Sequence, residues 1–171
     1  QRLVENLART ERLPAHELER LQATRLKAVL EHHWRHTPIF ANRLQASGID
    51  TLPANPFETL RALQPIRRAD IQQAEGRFIS SHVPETHLPT GAIKTSGSTG
   101  EPVSLVRTAL SQLFWSAYTI RDHLWHKRDF GFRLTAIRAN ISAYVEEIDW
   151  GRPTNLLYRT GKAQGFPNNV P

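Results

Sequence analysis

The chain has 171 residues, with 22 Lys and Arg against 16 Asp and Glu, giving a formal charge of +6. Hydrophobic residues make up 39% and cysteine is absent, which indicates a folded domain of ordinary size, excludes disulfides and thiolate metal sites, and leaves histidine and carboxylate as the strong metal ligands. The excess of base passes a first screen for nucleic-acid binding, but there is no Lys/Arg block, zinc-finger pattern or aromatic RNA-binding signature, so no nucleic-acid partner is expected.

At the amino end no signal-peptide pattern occurs, and nowhere does an apolar run approach the roughly 20 residues needed to cross a bilayer, so a cytoplasmic location without membrane insertion is expected. Methionine is absent and the chain starts at Gln1, and it ends in the turn-like "GFPNNVP" with no charged tail, so both ends are expected to continue in a longer protein. The first third reads as helical. Pro14 suits a first turn, and Leu18, Leu21, Arg25, Leu26, Val29, Leu30, His33 and Trp34 approximate a helical stripe that ends before Pro38. A second helix is expected in "IFANRLQASGI", with Gly48 in the left-handed position after its end and Ile49 as the apolar residue beyond. Short helices at 57–63 and within "IRRADIQQAEGRF" follow. After Pro89 the pattern changes: 93–96 and 103–108 are strand candidates around a glycine loop, 109–126 is an amphipathic helix, and 132–140 is a strand. The densest basic group, Arg121, Lys127, Arg128, Arg133 and Arg138, is interrupted by Asp122 and Asp129, which describes a solvated surface. This order implies an α/β protein, with a helical region over 1–89 and the start of a mixed sheet with flanking helices over 90–171.

The loop "KTSGSTGEPVSL", residues 94–105, concentrates hydroxyls and two glycines between strands. Glycine admits positive φ, and successive backbone N–H groups in such a turn can converge on an anion. The plainer alternative is a tight hairpin turn with no ligand. A P-loop would need G-x-x-x-x-G-K-[ST] followed by a helix, whereas Gly97 and Gly100 are too close and Glu101 stands where the lysine belongs. The dinucleotide fingerprint also opens a helix and is not matched.

"TSGSTGEP", Thr95 to Pro102, closely resembles the phosphate-binding loop of the adenylate-forming enzymes, written T-S-G-[ST]-T-G-x-P. "LKAVLEHHWRHTPIFANRLQASGI" and "LRALQPIRRADIQQ" are similar to the amino-terminal region of the phenylacetate-coenzyme A ligase branch and its capsule-biosynthesis relatives. The resemblance covers about residues 25 to 140. It implies that the chain is the amino-terminal part of an incomplete adenylation domain, in which Thr95, Ser96, Gly97, Ser98, Thr99 and Gly100 wrap the β- and γ-phosphates of ATP. The parent would use ATP and Mg2+ to activate a small-molecule carboxylic acid as an acyl-adenylate and pass the acyl group to a thiol, with coenzyme A the usual acceptor.

Three departures bear on that expectation. Family loops usually carry a lysine beside the proline, whereas this chain has Glu101 and Val103, so either Glu101 points away or ATP affinity is weak; Lys94 and Arg107 are the cations able to compensate. The aryl-pocket run of the phenylacetate ligases is replaced by "NISAYVEEIDWGRP", which offers Tyr144 and Trp150 around Glu146, Glu147 and Asp149. The family's adenine segment, magnesium-binding glutamate, ribose-binding aspartate and carboxy-terminal lysine would fall after residue 171. A non-catalytic nucleotide-binding or accessory relative is therefore the alternative, and Glu101 favours it.

Other groups carry plainer readings. His32 and His36, four apart with His33 beside them, and the pair His123 and His126 are expected to be helix-end residues rather than metal ligands. Trp115 and Tyr118 are expected in core packing, and Glu146, Glu147 and Asp149 in a solvated acidic turn.

Overall fold

Local signals set several helix ends. The computed structural model describes residues 1–74, 76–95, 102–138 and 141–167. Helices α1 (Arg2–Thr10), α2 (Ala15–His36), α3 (Pro38–Ala46), α4 (Pro56–Ala62), α5 (Arg68–Gln72) and α6 (Ala109–Trp125) alternate with strands β1 (Thr90–Lys94), β2 (Ser104–Thr108), β3 (Leu134–Arg138), β4 (Val145–Glu147) and β5 (Ala163–Pro167). Proline opens α3 and α4 at the position where its missing N–H is harmless. Asn55 Oδ1 accepts the Phe57 N–H at 3.1 Å, capping α4, and the Asp70 carboxylate accepts the Arg67 N–H at 2.7 Å at the start of α5. α3 ends as expected: Gly48 takes φ +74°, its N–H reaches the Gln45 carbonyl, and the Ile49 N–H reaches the Leu44 carbonyl, both at 2.9 Å. That pair of bonds satisfies carbonyls the last turn would leave open.

Two compact units result, Leu13–Ser111 and Gln1–Arg12 with Gln112–Pro171. In the first, α3 and α4 pack on α2. Leu30 of α2, Leu44 of α3 and Thr59 of α4 are buried. Val29, placed in the expected stripe, is exposed instead, because Leu30 takes the inward position of that turn. β1 and β2 form an antiparallel hairpin running from Thr90↔Thr108 to Lys94↔Ser104. The ladder starts three residues before the expected strand. Gly91 and Ala92 have low strand preference, and the pairing of Thr90, Gly91 and Ala92 with Thr108, Arg107 and Val106 extends the strand past the expected start.

In the second unit Val4 and Leu7 of α1 form a core with Ala117 and Ile120 of α6, and Leu3 and Tyr158 pack against it. The Trp125 indole N–H donates to Glu11 Oε2 at 2.7 Å. The sheet has order β3-β5-β4, with β3 parallel and β4 antiparallel to β5. Beside it Phe130 stacks on Tyr158 with ring centroids 4.3 Å apart, and Trp150 sits edge-on to Phe130 and to His123 at 5.4 and 5.3 Å. Gly161 lets two stretches cross, since a Cβ there would collide with the Gly131 and Phe132 carbonyl oxygens. The architecture is mixed α/β, with helices and two small sheets.

Two expectations are corrected. Trp115 and Tyr118 are exposed, at 68% and 44%, rather than core, because α6 turns Ala117, Ile120 and His123 inward and these rings lie off that face. The Arg121 guanidinium instead lies over the Tyr118 and Trp125 rings, 5.0 and 4.5 Å from their centroids. The acidic group is also not one turn. Glu146 and Glu147 lie in β4, where Glu146 stands 3.6 Å from the Lys162 ammonium and 3.9 Å from the Arg133 guanidinium. Asp149 Oδ1 accepts the Gly151 N–H at 2.7 Å, and the Asn155 amide donates to both its oxygens.

The Thr59 hydroxyl is fully buried and has no hydrogen-bond partner among the described residues. An unmade buried bond costs about 1–3 kcal/mol. Thr59→Val, which keeps the shape and removes the hydroxyl, is expected to raise stability by about 1 kcal/mol in urea denaturation.

Candidate functional site

The hairpin presents its glycine loop at the end where Lys94 faces Ser104. Ser96, Gly97, Ser98, Thr99, Gly100 and Glu101 lie outside the described residues, so the geometry concerns the base of the loop: Thr95, Val103 and what touches them.

Thr95 and Val103 are joined twice. The Thr95 N–H donates to the Val103 carbonyl, and the Val103 N–H donates to Thr95 Oγ1, both at 3.0 Å. The second bond replaces a ladder bond: the hydroxyl accepts where a backbone carbonyl would. Val103 is buried, which fixes the base of the loop from below. Arg68, the first residue of α5, directs Nη2 to the same hydroxyl at 3.4 Å, the long end of the hydrogen-bond range. A hydroxyl offers two lone pairs and one proton. With Val103 and Arg68 both donating to Thr95 Oγ1, the bond this hydroxyl has left to give is as a donor. That is the polarity an anion above the base requires.

The two cations expected to compensate for Glu101 are placed differently. Lys94 immediately precedes Thr95, at the loop end of β1. Arg107 pairs with Gly91, four residues along β2 from Val103 and so about 13 Å away along the strand. Their cross-strand pairs also put them on opposite faces of the hairpin. Arg107 is therefore the weaker candidate. Among the described residues, Arg68, which the pattern of the chain did not single out, is the guanidinium seen to touch the base of the loop. Its signal in the sequence was faint: an arginine after Pro65, 27 positions from its partner.

The histidines expected at helix ends are there. His32 Nε2 and Ser80 Oγ are 2.9 Å apart, and His33 Nδ1 and Thr37 Oγ1 are 2.8 Å apart. Burial lowers the pKa of His33 from its usual value. In the other unit His126 is an exposed partner of Asp122 at 3.4 Å. His123 is buried and accepts from Arg128 Nη1 at Nδ1. Its pKa is lowered by burial and then by the Arg128 charge, against the opposing pull of Asp122. Among the described residues no three His, Asp or Glu side chains are arranged to hold a metal ion, and no helix is long and apolar enough to cross a membrane.

No family model matches the chain, and no curated protein matches it.

Thr95→Val is expected to destabilise the chain by about 1–3 kcal/mol, because it leaves the Val103 N–H without its acceptor. Thr95→Ser keeps the oxygen and should restore most of that loss. Urea denaturation of the two variants beside the parent chain measures both.

Proposed function

We propose that this chain is the amino-terminal, phosphate-binding part of an ATP-dependent carboxylate-activating ligase of the adenylate-forming type, acting in the cytoplasm. The observation that carries the reading is the sequence Thr95–Pro102 itself, set between antiparallel strands whose ends are joined through Thr95 and Val103. In that reading Thr95, Ser96, Gly97, Ser98, Thr99 and Gly100 donate hydroxyl and backbone N–H groups to the β- and γ-phosphates. Hydrogen bonds to charged oxygens are the strong ones, and glycines let the backbone come close enough to make them.

The missing lysine is the main difficulty, and Arg68 addresses it. A guanidinium at the base of the loop places positive charge beside a loop whose sequence lacks the family's lysine and carries Glu101. ATP and Mg2+ would then supply the leaving pyrophosphate and the charge neutralisation. A small-molecule carboxylic acid would attack the α-phosphate, and coenzyme A is the expected acceptor of the acyl group.

The decisive assay is carboxylate-dependent exchange of labelled pyrophosphate into ATP, run on the full-length parent protein with aryl, fatty and amino acids. Exchange with one class of acid is the expected result. ATP binding without exchange for any acid would assign the protein to the non-catalytic nucleotide-binding relatives, the reading that Glu101 favours. In the same protein Thr99→Ala and Arg68→Gln are each expected to weaken MgATP binding roughly tenfold, the value of one charge-assisted hydrogen bond. Calorimetric titration showing unchanged affinity in both would remove this loop from the nucleotide site.

A further inference from the structure

Four imidazoles gather where α2 ends. His32 and His36 lie one turn apart with ring centroids 4.9 Å apart, His36 and His82 are 5.0 Å apart, His32 and His82 are 6.4 Å apart, and His33 stands edge-on to His32 at 5.4 Å. His82 comes from the stretch between α5 and β1, which is tied to α2 by polar bonds. The Ser81 N–H donates to the His36 carbonyl at 2.7 Å. Ser80 Oγ donates to the His82 carbonyl at 2.8 Å, so its contact with His32 Nε2 has the imidazole as donor. That arrangement is made by neutral His32 carrying its proton on Nε2. A second proton would go to Nδ1 and set a full charge beside the His36 ring.

We propose that His32, His36 and His82 form a proton-operated latch, which holds residues 80–82 on the last turns of α2 while the imidazoles are neutral and releases them when more than one is charged. The charged groups around the latch are one-sided. His33 and His36 from α2, His82 from the latched stretch and His87 from the 3-10 turn before β1 all act on His32 as positive charges, and no carboxylate pairs with these rings among the described residues. From α3, Phe40 lies against His33, and Arg43 is turned away to donate to the Gln64 carbonyl. Glu58 and Arg61 of α4 are exposed and do not act on His32.

Burial first, and then those four charges, lower the pKa of His32 below its ordinary 6.5. The folded latch therefore binds fewer protons than the open chain near that pH. Its stability is full above pH 6.5 and declines as the pH falls through 6.5 toward the lowered folded value. Because the latched stretch leads through the 3-10 turn into β1, its release frees the chain on the entry side of the hairpin.

The test is hydrogen exchange of the Ser81 amide in the 171-residue chain, corrected for intrinsic rate, with the Ile49 amide of the α3 end as internal reference. Protection of Ser81 relative to Ile49 is expected to fall measurably between roughly pH 7.5 and 5.5, with about tenfold as the ceiling set by His32. His82→Gln, at an exposed position, should make that fall several times smaller, and His36→Gln should do the same independently. A Ser81 to Ile49 ratio that does not change with pH in the parent chain would overturn the latch, as would a fall of the same size in both variants.

Discussion

Two hydrogen bonds between Thr95 and Val103 hold the hairpin at the point where the chain leaves it and returns. One is an ordinary backbone bond; the other uses a side-chain oxygen in place of a carbonyl. The substitution matters because both faces of β1 and most of β2 are exposed, so packing contributes little to pairing and the closing bonds contribute much. A two-stranded ribbon is marginal in water without further support. Here the support comes from the closure at one end, and at the other from the Ala109 N–H, which donates to the Pro89 carbonyl as α6 begins.

The second unit solves the same problem with aromatic packing. Its strands are short, and β5 contains a glycine and ends in proline. Phe130, Tyr158, Trp150 and His123 make a small cage next to the sheet, and bonds to backbone carbonyls pin it: the Trp150 indole Nε1 donates to the Phe132 carbonyl at 2.9 Å, and the Gly161 N–H to the Phe130 carbonyl at 2.7 Å. Asp149, one of three acids expected in a solvated turn, is occupied in organising the turn that delivers Trp150. Its carboxylate serves structure, with its oxygens taken by neighbours within six residues.

Legibility tracked how local the cause was. The end of α3 could be read because a Schellman ending needs only Gly48 and Ile49, and α6 because its apolar spacing is written in consecutive turns. β5 could not be read: "AQGFP" has no strand pattern and becomes a strand only because β3 and β4 pair with both its edges. The exposure of Trp115 depends on which face α1 covers, and the contact of Arg68 with Thr95 on a meeting of distant segments. Periodicity reports neither. The loop motif was legible as a string of residue types, and of its site residues Thr95 is the one whose bonds can be described.

The core joining α1 to α6 has a consequence for how the chain comes into being. Val4 and Leu7 meet Ala117 and Ile120, partners that are about 110 residues further on, and synthesis runs at about 5–20 residues per second. A newly made α1 therefore waits on the order of ten seconds with its apolar face uncovered. At nine residues it is too short to be a stable helix alone. Residues 13–111 contain their own helices and hairpin and can order in the interval. Residues 2–10, made well before their partners, thus find their place after residues 13–111 have had time to order, and the loop-closure entropy of joining them falls on that later step.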